Sequence, residues 1–87
     1  MYTDKVVIKN ETGLHARPAS MFVKVASKYK SEITLIKEEK EYNAKSLMAI
    51  LSMGAGKDTE ITIKAEGVDE KEATEDLKTL VDSNFGE

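Results

Sequence analysis

The chain contains no cysteine, so it can form no disulfide bond and no thiolate metal site, and it offers no cysteine nucleophile. One proline and five glycines among 87 residues leave no room for a flexible linker. No apolar run approaches the roughly 20 residues of a membrane-spanning helix, and the first five residues lack the basic and apolar regions of a signal peptide. These absences predict one domain, residues 1–87, in the reducing cytoplasm and without membrane insertion.

Neither sign of charge dominates the chain. The net charge is −3, and lysines and acidic residues are interspersed along the whole sequence. A protein that binds nucleic acid directly needs a basic stripe to face the phosphates, and this sequence has none. We therefore expect no direct contact with nucleic acid.

Apolar periodicity and cap residues divide the chain into four strands and three helices. Strands are predicted over 5–9, 32–37, 41–43 and 60–65, with a tight turn at 38–40. Helices are predicted over about 16–27, 47–53 and 70–83. Ser46 before the second helix and Gly54 after it are typical cap residues, and Asp69 with Glu72 resembles a capping box for the third.

The resulting order is βαββαβα. Each strand alternates polar and apolar residues, so one face of the sheet meets water and the other meets a core. The residues expected to face the core are Val6, Ile8, Ile33, Leu35, Ile61, Ile63 and Ala65. The pattern predicts an α+β fold, a two-layer open-faced sandwich in which a four-stranded antiparallel sheet carries three helices on one face.

The only histidine, the only arginine and the only proline of the chain are His15, Arg17 and Pro18. Histidine is a nitrogen nucleophile that titrates near neutral pH, and arginine is the preferred two-pronged partner of phosphate. Pro18 is compatible with a helix that starts at about residue 16, because N–H groups of the first turn have no intrahelical acceptor. His15 then lies near the N-cap.

A helix that begins after His15 directs unpaired N–H groups and a partial positive charge toward whatever the imidazole carries. Arg17 adds a positive charge, Thr12 a hydroxyl donor, and Gly13 a backbone freedom that other residues lack. A phosphoryl group on the imidazole nitrogen is the natural cargo of such a site. On residue types alone, a surface histidine or a helix cap is the commoner role.

The chain lacks the residues that other kinds of catalytic site require. There is one histidine, no cysteine, and no serine or acid specifically placed beside His15. The sequence therefore predicts neither a catalytic triad nor a metal site, and it suggests no cofactor.

Two segments resemble motifs of one known family. The segment Gly13–Ala19, GLHARPA, resembles the active-site motif of HPr, the histidine-containing phosphocarriers of the bacterial sugar phosphotransferase system. The segment Asn43–Met48, NAKSLM, with Leu51–Gly54 after it, resembles the second motif of that family. The resemblance covers essentially the whole chain, and the HPr fold agrees with the βαββαβα order.

The resemblance implies a relay rather than an enzyme. His15 would accept a phosphoryl group from phosphorylated enzyme I, which took it from phosphoenolpyruvate, and would donate it to IIA domains of sugar permeases. Arg17 would be the phosphate clamp. The supporting positions would be Thr12, Gly13, Ala16 and Pro18.

A carrier must meet several partners through one face, and two helices offer candidate docking residues. They are Ser20, Lys24 and Ser27 on the first helix and Leu47, Met48 and Leu51 on the second. Core packing is the alternative for the leucines, and a solvated surface is the alternative for Lys24. We expect a monomer, because a hub must leave one face exposed.

Ser46 is the second candidate site. The resemblance implies regulatory phosphorylation by an HPr kinase/phosphorylase, which would create a form recognised by a catabolite-control repressor. A phosphate is tolerated at a helix N-terminus, and its charge beside Leu47 and Met48 would oppose an acidic enzyme I. Capping alone is the alternative, since serine also occurs here in relatives without the kinase.

Two further hypotheses remain open at this point. A nitrogen-branch phosphocarrier would use the same chemistry with other partners. A non-catalytic regulatory module would act only through phosphorylated Ser46, but family relatives of that kind lack the histidine, whereas this chain has both His15 and Arg17.

Overall fold

The computed structural model describes residues 1–86, which form four strands and three α-helices in the order predicted. The elements are β1 (Tyr2–Val7), α1 (Ala16–Ala26), β2 (Glu32–Lys37), β3 (Lys40–Asn43), α2 (Leu47–Met53), β4 (Glu60–Glu66) and α3 (Glu70–Asp82), followed by a 3-10 turn at Asn84–Gly86. No helix within residues 1–86 has the length and apolar content needed to cross a bilayer.

The strands form one antiparallel sheet in the order β1-β4-β2-β3. Its two central strands, β4 and β2, pair along most of their length, from Glu32 opposite Glu66 to Ile36 opposite Thr62. The predicted α+β open-faced sandwich is therefore confirmed, with three helices over the sheet.

Every strand residue expected to face the core is buried. These residues are Val6, Ile8, Ile33, Leu35, Ile61, Ile63 and Ala65. The helices close the core from above with Ala19, Phe22 and Ala26 of α1, Ile50 and Met53 of α2, and Ala73, Leu77 and Val81 of α3. Residues of α1 and α2 approach one another, and α3 lies against β1 and β4.

The first strand begins and ends earlier than predicted, at Tyr2–Val7 instead of residues 5–9. Its first half lacks apolar alternation because Asp4 occupies an inward-facing position. The Asp4 carboxylate forms an ion pair with Lys78 Nζ on α3, 3.3 Å away. Ile8 lies beyond the strand but is still fully buried, and its N–H donates to the carbonyl of Thr59 at 2.9 Å.

The β2–β3 turn contains no Asn-Gly or Asp-Gly pair. Lys37 pairs with Lys40, so Glu38 and Glu39 make a two-residue turn, with φ values of 50° and 71°. Two consecutive positive φ values are the mark of a type I′ hairpin turn. Two glutamates therefore adopt a backbone usually given to asparagine and glycine.

The capping-box prediction for α3 is wrong. Asp69 is the N-cap residue, but its side chain makes no capping bond to the helix. Its carboxylate instead accepts hydrogen bonds from the N–H groups of Lys30 and Ser31 and from the Ser31 hydroxyl. The side chain therefore fastens the α1–β2 connection to the start of α3.

We expect acid to weaken this fastening. The Ser31 hydroxyl and the backbone N–H groups of Lys30 and Ser31 lower the pKa of Asp69 to about 2. Because this pKa is depressed in the folded protein, the carboxylate stabilises the fold above its ordinary pKa near 4, and that contribution is lost as the pH falls toward 2. Thermal melts from pH 5 to pH 2 should show a smaller loss of Tm in Asp69→Asn than in the wild type.

A matched control is Glu41→Gln, which changes an exposed carboxylate on β3. This variant should follow the wild-type curve throughout the range. The interpretation fails if Asp69→Asn and Glu41→Gln show the same acid dependence.

The chain after α3 contributes a core residue that periodicity does not predict. Phe85 is 2% exposed and lies in the 3-10 turn with a φ of 57°. Asn84 before it has the same positive φ. Two residues in the left-handed region turn the chain back so that the phenyl ring packs into the core.

Candidate functional site

Helix α1 begins directly after His15, as predicted. His15 is the N-cap residue, with φ −79° and ψ −174°, and its carbonyl accepts the first helical hydrogen bond from Ala19 N–H at 2.8 Å. Its imidazole makes no capping hydrogen bond and is exposed. The helix-cap interpretation of this side chain is therefore wrong, and both ring nitrogens are open to a partner.

The first turn of α1 presents unpaired N–H groups beside this imidazole. The N–H groups of His15, Ala16 and Arg17 find no acceptor within residues 1–86. Pro18 has no backbone N–H group. The Pro18 ring is buried and holds the third helical position. The donors are therefore concentrated next to His15, where the positive end of the helix dipole also lies.

Arg17 is exposed, and it forms no ion pair with a carboxylate of residues 1–86. Its guanidinium can therefore meet an anion that arrives from outside. Within residues 1–86, no group of three or more histidine, aspartate or glutamate side chains is arranged to hold a metal ion.

The loop before His15 is fixed through Gly13, which has the unusual backbone expected of it. Gly13 has a φ of +63°, and a β-carbon built there would lie 2.5 Å from the carbonyl oxygen of Ala55 and 2.6 Å from Gly56 Cα. The N–H of Leu14 donates to the same Ala55 carbonyl at 2.8 Å. Only glycine therefore fits this contact between two loops.

Asn10 is a buried residue of this loop that the sequence motifs do not single out. It is 5% exposed, and its Nδ2 donates to the carbonyl of Gly13 at 2.8 Å and to Thr12 Oγ at 3.3 Å. The available signal was the spacing, because asparagine side chains commonly hydrogen-bond to backbone two or three residues away. Thr12 is exposed, and its hydroxyl accepts from Asn10 while donating its own proton to no group of residues 1–86.

The candidate docking residues are all exposed. On α1 the polar side is formed by Ser20 and Lys24, with Ser27 at the C-cap. On α2, Leu47 is 39%, Met48 82% and Leu51 41% exposed. Ile50 and Met53 of the same helix are buried. Core packing is thus the wrong interpretation for Leu47 and Leu51, which lie on the outer side of α2.

Ser46 is the N-cap of α2, as predicted. Its Oγ accepts a hydrogen bond from Ala49 N–H at 3.3 Å, and Gly54 ends the helix with a φ of 65°. At the far end, Lys37 Nζ donates to the carbonyl of Met53 at 2.9 Å. This short helix is therefore held at both ends, with Ser46 next to the exposed Leu47 and Met48.

A family model described as "PTS HPr component phosphorylation site" matches residues 2–83. The chain belongs to the HPr family. Members of this family are phosphocarriers rather than catalysts, and they interact with proteins of the phosphotransferase system.

Relatives within the HPr family match this chain along most of its length. The HPr-like protein Crh of Bacillus subtilis (strain 168) is 43% identical over 81 residues, which are 93% of this chain and 95% of Crh. The phosphocarrier protein HPr of Mycoplasma capricolum is 46% identical over 78 residues, which are 88% of each chain. The crystal structure of HPr-C-His from Thermoanaerobacter tengcongensis has a TM-score of 0.98 at 48% identity, covering 100% of this chain and 98% of the other.

An HPr dimer from Thermoanaerobacter tengcongensis has also been solved, with a TM-score of 0.81 at 48% identity and full coverage of both chains. Dimers therefore occur among HPr-family structures. The monomer expected for this chain stays a prediction.

Proposed function

We propose that His15 accepts a phosphoryl group from phosphorylated enzyme I and donates it to IIA domains of sugar permeases. A lone pair on the imidazole forms the N–P bond while the bond between phosphorus and the donor breaks, and its electron pair returns to the donor. The reverse exchange with a IIA domain regenerates free His15. The observation that carries the proposal is an exposed, uncapped imidazole at the N-terminus of α1.

The neighbouring groups suit the charge that such a transfer creates. A phosphoryl group on the imidazole brings its negative oxygens close to the N-terminus of α1, where three N–H groups are unpaired within residues 1–86. The Arg17 guanidinium, free of ion pairs with the described carboxylates, can bind two of those oxygens at once. These donors are in place before the reaction, so they stabilise the transferring group without reorganisation.

The shape of the site suits protein partners. His15, Ala16 and Arg17 are consecutive and all exposed, at an outer end of a helix rather than inside a cleft. A small substrate would gain little burial there, whereas the active site of another protein could close over the helix end. We assign the docking surface to Ser20, Lys24 and Ser27 of α1 together with Leu47, Met48 and Leu51 of α2.

The direct test uses the wild-type protein with enzyme I and phosphoenolpyruvate labelled in its phosphate. We expect one labelled phosphoryl group per chain, labile in acid and stable in base, as a phosphohistidine is. The label should then pass to a IIA domain when one is added. A chain that takes up no label contradicts the proposed function.

Arg17→Lys should slow transfer without preventing phosphorylation. Lysine keeps the positive charge but cannot contact two phosphate oxygens in one plane. The loss of one charge-assisted hydrogen bond, about 1.5 kcal/mol, lowers the rate roughly tenfold. Rapid-quench measurement of transfer in both directions tests this, and Arg17→Ala should be slower still. Unchanged rates in Arg17→Lys would refute the clamp role.

A second candidate role is regulation through Ser46, linked to carbon catabolite control. Two observations favour it: the similarity to Crh, an HPr-like protein, and the place of Ser46 at the N-cap of α2. A phosphate there gains from the helix dipole, so it does not oppose the fold. It adds nearly two negative charges beside Leu47 and Met48, on the proposed docking surface. An HPr kinase/phosphorylase would add this phosphate, and a catabolite-control repressor would recognise the product.

Ser46→Asp should lower the rate of phosphoryl acceptance from enzyme I roughly tenfold, because a negative charge on the docking surface opposes an acidic partner. Ser46→Ala is the matched control. It loses the hydrogen bond from Ala49 and about 1 kcal/mol of stability, but it adds no charge, so its rate should stay near that of the wild type. Equal rates in Ser46→Asp and Ser46→Ala would contradict this regulatory mechanism.

A further inference from the structure

Asn10 is a buried polar residue among exposed ones. Its neighbours Lys9, Glu11 and Thr12 are exposed, yet Asn10 is only 5% exposed. Its side chain reaches forward along the loop, where Nδ2 donates to the Gly13 carbonyl at 2.8 Å and to Thr12 Oγ at 3.3 Å. Its own carbonyl accepts from the N–H of Gly13 at 3.1 Å. Asn10 therefore forms hydrogen bonds with both the carbonyl and the N–H group of Gly13.

A second set of contacts holds the same loop from the opposite direction. Gly13 lies against the backbone of Ala55 and Gly56 so closely that a β-carbon does not fit, and Leu14 donates to the Ala55 carbonyl at 2.8 Å. The peptide group between Gly13 and Leu14, directly before His15, is thus bound at its carbonyl by Asn10 and at its N–H by Ala55.

Fold stability alone does not account for an asparagine at this position. Its Oδ1 is buried and accepts no hydrogen bond within residues 1–86. A buried acceptor without a hydrogen-bond partner among these residues lowers the net stabilisation that the two donated bonds provide. What the side chain does provide is a fixed backbone conformation in the loop that leads to His15.

We propose that Asn10 is a positioning residue for phosphoryl transfer, acting through the Gly13 carbonyl to set the place of the His15 imidazole over the N-terminus of α1. This inference rests on the proposed function of His15. Displacement of a reacting group by about 1 Å can cost roughly a hundredfold in rate, so a buried amide that fixes the backbone two residues before His15 has a large effect on transfer. The docking residues lie on α1 and α2, outside this loop, and are not altered by the loss of the amide.

The experiment measures kcat and KM of enzyme I with this protein as the phosphoryl acceptor. In Asn10→Ala, which deletes both donated bonds, kcat should fall roughly 10–100-fold while KM stays within about twofold of the wild type. Asp69→Asn is the control, because in another part of the fold it replaces with an NH₂ group one of the two oxygens that accept hydrogen bonds from Lys30 and Ser31. Each variant is assayed where thermal melting shows it to be folded, and Asp69→Asn should keep the wild-type kcat.

Three results would overturn the inference: a wild-type kcat in Asn10→Ala, a rise in KM alone, or an equal fall of kcat in Asp69→Asn. A second measurement needs no variant. In the wild-type protein the side-chain NH₂ protons of Asn10 should exchange slowly with water and shift in NMR spectra when His15 is phosphorylated. Fast exchange without a shift would also overturn it. A wild-type chain that takes up no phosphoryl group would refute the proposed function itself, which separates the two failures.

Discussion

Replacing His15 with alanine is expected to abolish phosphoryl acceptance and to leave the fold intact. His15 is the only imidazole in the chain, so no other histidine can take over its role. Its side chain is exposed and makes no capping bond, so its removal deletes no hydrogen bond that supports α1. Incubation with enzyme I and labelled phosphoenolpyruvate should give no acid-labile label, while the Tm changes by no more than a few degrees.

The matched control for this experiment is Ser20→Ala, at another exposed position of α1. It should be labelled to the same extent as the wild type, although its rate reports on docking. Acid-labile label on His15→Ala would show that the acceptor is a different residue. A large fall in Tm would instead show that the imidazole supports the fold, contrary to its exposed and uncapped position.

Gly13→Ala is expected to be the most destabilising single methyl addition in the chain segment that leads to the site. The left-handed backbone costs a non-glycine residue about 1–2 kcal/mol. The new β-carbon would also lie 2.5 Å from the Ala55 carbonyl oxygen and 2.6 Å from Gly56 Cα, and such overpacking costs about 1–3 kcal/mol more. The combined loss of about 2–5 kcal/mol corresponds to a fall in Tm of roughly 8–40 °C for a domain of this size.

Gly54→Ala separates the backbone cost from the cost of the close contact, because both glycines have a left-handed φ. Gly54 has a φ of +65°, close to the +63° of Gly13, but a β-carbon there would meet nothing within 4 Å. Its expected cost is the backbone part alone, about 1–2 kcal/mol. Chemical denaturation of both variants measures the difference between their free energies of unfolding. If Gly13→Ala costs no more than Gly54→Ala, the loop at 55–56 yields easily and does not fix the path into His15.

The sequence predicted correctly the bounds of those helices and strands that have both a regular apolar pattern and distinct residues at their ends. Helix α2 has the predicted bounds because Ser46 caps its start and Gly54 its end. Strand β2 also has its predicted bounds, since its alternation is unbroken. Strand β1 was placed three residues late because an ion pair to another helix, Asp4 with Lys78, replaces the apolar signal there.

Contacts between distant segments account for the other differences. The Asp69 carboxylate had suitable partners at the start of α3 and also in the α1–β2 connection, and the pattern of nearby residues favoured the first. Phe85 lies outside any periodic segment, and only the positive φ of Asn84 and of Phe85 itself brings the ring into the core. Sequence periodicity contains neither kind of information.

The candidate site was predictable to a similar degree. The rarity of histidine and arginine in this chain drew attention to His15 and Arg17, and helical spacing placed them at a helix start. The uncapped state of the imidazole depends on its own geometry, and the burial of Asn10 depends on the loop around it, so both needed the structure.

If His15 carries the phosphoryl group as proposed, the consecutive exposure of His15, Ala16 and Arg17 at one helix end makes donor and acceptor proteins competitors. Both must reach the same nitrogen over the same surface, so no ternary complex can form, and each delivery requires the carrier to leave one protein before it meets the next. Dissociation then lies on the path of every transfer, and most differences in affinity between related complexes are differences in dissociation rate. A variant that binds enzyme I more tightly would therefore deliver phosphoryl groups more slowly, and throughput is greatest at an intermediate affinity.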